Sequence, residues 1–593
     1  MRLRCDRPGV TRMSKINWRE WDEKTLEEAR RQNKPILLDI SATWTRWRRV
    51  MDATSYNDDE AAEIINNNFV PIRVDADRRP DVNARYNMGG WPTTAFLTPS
   101  GDVIAGGTYF PPDSLKQTLR RVIQAFRRGG ALTSGREAVP AGRARAVTLN
   151  PGGSLLLDRV VGDVIWTVRS EFDRQYAGFG REAKTPYPDS IELLLNEYHR
   201  TQETDLRDMA LATLDVMMDS EIHDRAEGGF FRYATKRDWT VPHYEKLLLD
   251  QAGAVRSFTQ AYQVTTRKEY LQAIRSTLSY VEQTLLDAET GAFYGSQAHD
   301  EEYYRLPAKE RLAGERPPVD KTVYTDWNAE MSYAYLKAYE AAIADEYLAI
   351  AQNNVAFLLS AARRPGSGMY HFYDGQPRAY GMLRDQAQMT WLLCELYQCD
   401  GKKETIAAAG ELASVMKSEF ADSLGGFLDV TIERARDERL AYRDKPLDTN
   451  GLAAKALIRL ADLTGENEWR RLGAAALRSL AGRYKGYGYL ATGYALAVSF
   501  AVEEPVEVAL IGQPDDERLA VLRRSALRSY EPYKVVVTLD PVRDSLKIAA
   551  KGYPITKVPK VLVCIAQTCQ PPTGEPEAVE EAVARAGGRV EES

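Results

Sequence analysis

The densest group of residues able to move protons is Arg232-Tyr233, followed by Trp239-Thr-Val-Pro-His243-Tyr-Glu245-Lys246 and by Asp250. Pro242 is placed as a proline that opens a helix. His243, Lys246 and Asp250 would then recur at three- and four-residue spacing on nearly one face. A histidine beside carboxylates can donate or accept a proton near neutral pH. His243 and Asp250 are therefore candidate acid–base residues, with Arg232, Trp239, Glu245 and Lys246 as substrate contacts. The alternative is that His243 and Lys246 satisfy buried loop carbonyls. A second group is Asp320-Lys321 with Asp326-Trp327-Asn328. A ring face beside an amide and a carboxylate suits a sugar, but a helix cap by Asp326 with Trp327 in the core would look the same. Arg384-Asp385-Gln386 and Asp448-Thr-Asn450 form the third and fourth groups. Asp326 and Asp385 could serve as paired carboxylates, and Trp327, Asn328, Asp448 and Asn450 as substrate contacts. Each of these helix starts also reads as an ordinary cap.

What would bring them together is a succession of long helices. From Ser154 onward, apolar residues at three- and four-residue spacing predict about twelve helices. They lie near 154–172, 189–200, 204–221, 245–263, 267–287, 326–343, 345–361, 383–399, 403–420, 448–464, 466–483 and 490–502. After every second helix comes a glycine and an aromatic: Gly178-Phe179, Gly229-Phe-Phe231, Ala292-Phe-Tyr294, Met369-Tyr370, Gly425-Gly-Phe427 and Gly486-Tyr487. Such a loose repeat marks a repeat architecture. Six helix pairs predict a closed (α/α)6 toroid, with an open solenoid as the other reading. In a closed toroid the four polar helix starts converge on one mouth.

The ends of the chain differ. Helix, strand, helix, strand, helix, strand, strand, helix is the order expected over 14–128, an α/β domain with a small central sheet. Lys34-Pro-Ile-Leu-Leu-Asp-Ile40 runs into a turn and a helix at Thr45-Arg-Trp-Arg-Arg49, where a thioredoxin-like domain carries its Cys-x-x-Cys pair. Trp91-Pro92 is a candidate cis turn. Residues 1–13 are expected to be disordered, with Met1 or Met13 as the start, and 129–153, rich in Gly, Ala, Pro and Arg, to be a linker. The toroid would span 154–502. Val506–Gly512, Tyr533–Leu539 and Val561–Ile565 predict a small C-terminal α/β appendage over 503–593.

Matching stretches run along nearly the whole chain: Val74-Asp-Ala-Asp-Arg-Arg-Pro-Asp81, Gly89-Gly-Trp-Pro92, Phe96-Leu-Thr-Pro-Ser-Gly101, Gly229-Phe-Phe-Arg-Tyr233, Trp327-Asn328 and Cys569-Gln-Pro-Pro572. In these it resembles the spermatogenesis-associated, thioredoxin-domain-containing protein family, whose bacterial members join a domain of unknown function to a six-hairpin toroid. The resemblance implies a toroid akin to those of sugar epimerases and glycoside-processing enzymes. Where that family has Cys-His-Trp-Cys-His, this chain keeps only Trp47. Thiol–disulfide exchange needs an attacking thiolate and a resolving thiol, and Thr45 and Arg48 supply neither. Thr45, Trp47, Arg48 and Pro92 mark a degenerate, redox-inactive site.

Composition narrows the remainder. With 593 residues and a net charge of −6, the chain is a multidomain globular protein without the charge expected of a nucleic-acid binder. No apolar run approaches the length of a membrane helix. Five cysteines give no disulfide framework, so a reducing, cytoplasmic setting is the expectation. Cys564 and Cys569 are expected as a buried structural pair or free thiols. The five histidines show no metal-ligand spacing. Neither metal nor cofactor is expected. The expected function is that of a carbohydrate-active epimerase, isomerase or hydrolase of a small sugar, with the thioredoxin-like domain as lid or docking module. The alternative is a non-catalytic binding or scaffold protein with an unknown protein partner.

Overall fold

A computed structural model describes residues 14–129, 153–437, 443–555, 558–566 and 568–587. The predicted disordered start and almost all of the linker lie outside them. Two compact units are present: the described residues of Met1–Ala146 with Ile432–Arg443, and those of Val147–Thr431 with Asp444–Ser593.

The first unit is built on a four-stranded sheet in the order β2-β1-β3-β4. Its strands are β1 (Ile36–Ser41), β2 (Val70–Asp75), β3 (Thr93–Leu97) and β4 (Val103–Gly107). β2 is parallel to β1, and β3 is antiparallel to β1 and β4. Helices α1 (Glu23–Gln32), α2 (Arg46–Ala53), α3 (Asp59–Asn68), α4 (Pro80–Tyr86) and α5 (Pro112–Arg127) alternate with the strands. This is a thioredoxin-like arrangement, and Trp91–Pro92 is cis. β1 is buried along its whole length, which is why it reads as an apolar run, broken only by Asp39 and Ser41, rather than as an alternating one.

The second unit begins with α6 (Gly153–Glu171), α7 (Pro188–Thr201), α8 (Thr204–Asp219), α9 (Leu248–Thr265) and α10 (Lys268–Tyr280). After the short α11 (Glu301–Tyr304) and α12 (Ala308–Ala313) come α13 (Thr325–Glu340), α14 (Glu346–Ala361), α15 (Leu383–Asp400) and α16 (Lys403–Val415). The short α17 (Ile432–Asp437) belongs to the first unit, where Arg434 Nη2 lies 3.0 Å from Asp81 Oδ2. α18 (Leu447–Thr464), α19 (Asn467–Leu480) and α20 (Thr492–Val502) complete the series. α7, α9, α13, α15, α18 and α20 pack side by side in that order, and α20 returns to α7. The ring is closed, with α6, α8, α10, α14, α16 and α19 outside it. This is the (α/α)6 toroid. The inner helices α9, α13 and α15 are buried nearly all round, as a helix walled in by neighbours must be.

The glycine–aromatic repeat has a physical cause. The fourth residue of four inner helices is an amide, Gln251, Asn328, Gln386 or Asn450. Each accepts from a backbone N–H in the preceding turn, that of Phe230, Phe293, Met369 or Phe427, at 2.6–2.8 Å. The same amide donates to that residue's carbonyl and to the carbonyl capping its own helix. The turn must come close. Gly229 has φ +76, and a methyl there would lie 2.7 Å from Gln251 Oε1. Only glycine serves at such a position without strain.

Short ladders join the toroid's turns: β5 (Tyr233–Ala234) with β6 (Pro242–His243), β7 (Lys246–Leu247) with β8 (Ser296–Gln297) and β9 (Val319–Asp320), and β10 (Val323–Tyr324) with β11 (Tyr370–Tyr373) and β12 (Pro377–Tyr380). The chain ends in a second α/β sheet, ordered β14-β13-β15-β16, of β13 (Val506–Ile511), β14 (Lys534–Leu539), β15 (Lys560–Ile565) and β16 (Thr568–Cys569). α21 (Glu517–Arg528), α22 (Ser545–Ala550) and α23 (Pro576–Ala586) accompany it. Arg459 of α18 donates to Lys534 O at 2.7 Å and Gln398 of α15 accepts from Val536 N at 2.8 Å, seating this sheet on the far ends of the inner helices. Cys564 and Cys569 face each other across β15 and β16 and are disulfide-bonded.

Candidate active site

A funnel of about 330 Å³ opens inside the ring, walled by residues of all six inner helices. Three of them, α9, α15 and α18, offer a stripe at i, i+4 and i+7, the spacing of one helical face. α15 gives Arg384, Gln388 and Trp391, and α18 gives Asp448, Leu452 and Lys455. First-turn residues make the mouth layer, where Arg384 lies 3.2 Å from Asp326 and 3.1 Å from Asp448. One layer down, Glu330 pairs with Arg256 at 2.9 Å, and Arg256 also holds Glu192 at 2.7 Å and Asp189 at 3.2 Å.

Asp250, in the first turn of α9, lines the funnel. Its Oδ2 is sealed from solvent and has no hydrogen-bond partner among the described residues. Burial raises its pKa to about 7, opposed by the Arg232 guanidinium and reinforced by Glu245. It is thus poised to give or take a proton near neutral pH. Glu245, 3.9 Å from Arg232, takes His243 Nδ1 at 3.2 Å and His299 Nδ1 at 3.2 Å. Burial alone would raise Glu245. The two imidazole contacts outweigh it and hold the carboxyl down at about 2. His243 also stacks on Tyr233, with ring centres 4.5 Å apart. Asp385, at the start of α15, meets His371 Nδ1 at 3.0 Å. Burial lifts Asp385 to about 6, while His371 pulls it down and Asp326 pushes it up.

Two clusters are compact enough to hold a metal ion, His243–Glu245–His299 and Asp326–His371–Asp385, each with ligand atoms within 4.8 Å of one another. Each cluster joins segments far apart in the chain, with only His243 and Glu245 close in sequence, so no full ligand spacing betrays it.

The structure corrects several sequence expectations. His243 does not sit on a helix: Pro242–His243 is a strand, and α9 starts at Leu248. His243, Lys246 and Asp250 therefore share no helical face. Lys246 is fully buried away from the funnel, donating to Asp224 at 2.7 Å and to Gly228 O at 2.8 Å, over the Tyr280 ring. Trp239 is fully buried against Gly178 and donates to Tyr176 O at 2.9 Å. Asn328 and Asn450 are spent on the turn brackets described above. Trp327 is packed on Tyr324 and buried. Lys246, Trp239, Asn328 and Asn450 spend their polar groups inside the fold, and none of the five lines the funnel. Asp250 and Asp448 line the funnel, and Asp326 reaches it through Arg384. Arg256, Glu330, Tyr333, Trp391, Lys455, His299 and His371 escaped sequence reasoning. Polar residues at i, i+4 and i+7 within otherwise apolar helices were the available signal for the funnel residues.

At the degenerate redox site, the Thr45 hydroxyl turns inward to Ala42 O at 3.0 Å. Arg48 lies 3.6 Å from Asp75. Trp47 is half exposed and packs against Tyr109, and Pro92 is the cis residue. No thiol stands at this turn. Among the described residues no helix is long and apolar enough to cross a membrane.

Residues 10–138 match a family model, Thioredox_DsbH, described as a protein of unknown function, DUF255. The chain is 30% identical over 321 residues to spermatogenesis-associated protein 20 of Mus musculus, covering 48% of this chain and 39% of that protein. It is also 30% identical over 307 residues to uncharacterized protein B0495.5 of Caenorhabditis elegans, covering 48% and 41%. The matched part thus spans about two fifths of these curated relatives. Among solved structures, a sugar epimerase from a ruminal bacterium aligns with TM-score 0.47 and 14% identity, over 55% of this chain and 86% of that one. A D-mannose isomerase aligns with TM-score 0.48 and 12% identity, over 59% and 99%. The chain is similar to the spermatogenesis-associated protein 20 family, with the usual Cys-x-x-Cys motif lost from its thioredoxin-like domain.

Proposed function

We propose that the toroid is a carbohydrate-active enzyme that isomerises, epimerises or hydrolyses a small sugar held in the funnel. The observation that carries this reading is Asp250, a carboxyl that faces the funnel with one oxygen unpartnered and a pKa raised to about 7. An unpaired buried carboxyl is destabilising, and such perturbed groups gather at functional sites. Asp250 acts as acid or base, and Arg232 tunes it. His243 with Glu245 and His371 with Asp385 are histidine–carboxylate pairs behind the funnel wall, the first felt by Asp250 through Glu245 and the second close to the funnel-lining Arg384. Asp448 and Arg384 offer acceptor and donor groups to sugar hydroxyls. The first unit, which carries no cysteine among its described residues, is assigned no thiol–disulfide step.

The test is incubation of the protein with aldoses, ketoses and short oligosaccharides in D2O, followed by proton NMR. The expected result is deuterium entry beside the carbonyl carbon, or release of a reducing end, lost in Asp250→Asn. Binding of sugars without any turnover would favour the non-catalytic alternative. Neither binding nor turnover would overturn the carbohydrate reading.

A further inference from the structure

The funnel has a floor. Arg256, Tyr333, Trp391 and Lys455 come from four inner helices at the third level of the stripe. The Tyr333 and Trp391 rings meet edge to face at 5.6 Å, and Arg256 lies over Tyr333 at 5.7 Å. Below them a cavity of about 40 Å³ is closed by Ser529–Lys534, from the turn before β14 and its first residue.

The charges at this level are unequally matched. Arg256 has three carboxylates and Arg384, above it, has two. Arg459, behind Trp391, has Glu395 at 3.1 Å. Lys455 is 8% exposed and lies with Nζ 4.2 Å over the Trp391 ring. It makes no ion pair or hydrogen bond with any described residue, though it lines the funnel. Beside it, the Trp391 indole N–H is buried and also unpartnered. An ammonium and an indole N–H are donors only. Their complement is a group that only accepts, which for a charged donor is an anionic oxygen group.

We infer that Lys455, with the Trp391 N–H, receives the anionic group of an acidic sugar, a carboxylate or a phosphate. The inference rests on the carbohydrate reading and gives it a substrate class. Asp250 is the third residue of α9 and Lys455 the ninth of α18. At a 1.5 Å rise per residue they differ in depth by about 9 Å. One hexose can span that distance, its acidic end on the floor and its reacting end at the mouth.

The test is calorimetric titration of D-glucuronate, glucose 6-phosphate and glucose, and of malonate and inorganic phosphate as anions without a sugar. Each is titrated into wild type, Lys455→Met and Lys455→Arg, with folding checked by circular dichroism. The expected result is that one acidic sugar binds about ten- to hundredfold more tightly than glucose, a difference lost in Lys455→Met and kept in part by Lys455→Arg. The stronger of the two acidic sugars distinguishes carboxylate from phosphate. Glucose binding as tightly as its acids, or acids binding Lys455→Met as well as wild type, would overturn the inference and leave the carbohydrate reading standing. Malonate or phosphate binding that depends on Lys455, without any sugar binding, would keep the anion site and sink the sugar. No binding in any arm would overturn both.

Discussion

The thioredoxin-like unit and the toroid funnel treat buried charge in opposite ways. In the first unit, Asp39 takes Arg73 at 2.8 Å and the Tyr56 hydroxyl at 3.2 Å. Asp81 is held by Arg79 and Arg434, each at 3.0 Å. These carboxylates are neutralised on the spot. In the funnel, Asp250 and Lys455 have no ion-pair or hydrogen-bond partner among the described residues, although the toroid supplies such partners freely elsewhere, as at Lys184–Asp173 and Lys246–Asp224. Leaving a charge unmatched is destabilising, so it persists where something other than the fold uses it. The lesson is that abundance of charge does not mark the site, whereas failure to pair does.

The comparison can be broken first where pairing is complete. Lys246→Met leaves Asp224 buried with Arg311 as its remaining cationic partner and should lower stability by about 3 kcal/mol, measured by urea unfolding of the whole protein. An effect below about 1 kcal/mol would mean that buried pairs here do not matter to the fold.

Asp250→Asn should act in the other direction. Its folded pKa, about 7, is above its ordinary value of 3.8. The folded state therefore holds the proton where the unfolded state has lost it, and this contribution is full below pH 4 and fades as pH rises to 7. At pH 8 Asp250→Asn should be more stable than wild type by up to about 4 kcal/mol, with a flatter pH profile between 4 and 7. A variant less stable than wild type at pH 8 would mean that the carboxylate has a partner in the folded protein.

Asn450→Ala removes a turn bracket and strands the N–H and C=O of Phe427. A loss of about 2 kcal/mol is expected in the same unfolding experiment, with funnel ligands still bound. Loss of binding with stability intact would restore Asn450 as a substrate contact. Smallest of all, Arg48→Ala should cost under about 1 kcal/mol, because its 3.6 Å contact with Asp75 is long and partly exposed. A thermal shift much larger than that would give the degenerate turn a structural role.

Much of the fold was legible because it rests on local signals. The twelve long helices follow from apolar periodicity, and the glycine–aromatic repeat located the turns before their cause was visible. The site was less legible. Pro242 is followed by an extended segment because Tyr233–Ala234 pairs with it, and that partner is tertiary. Gln251, Asn328, Gln386 and Asn450 look like Asp250 in sequence, being polar residues near helix starts. One residue further along the helix turns the side chain by about 100°, from the funnel into the turn. Lys455 and Trp391 were invisible for the same reason: they belong to a floor assembled from helices far apart in the chain.

The most direct test of the account is a thermal-shift screen of neutral, amino and acidic monosaccharides on wild type and Asp250→Asn in parallel. A ligand at about a hundred times its dissociation constant stabilises by about 2.7 kcal/mol. The account predicts that at least one sugar raises the melting temperature of wild type, with the shift altered in Asp250→Asn. If no sugar shifts either protein while both are folded, the unpaired funnel groups do not serve a carbohydrate and the central claim is contradicted.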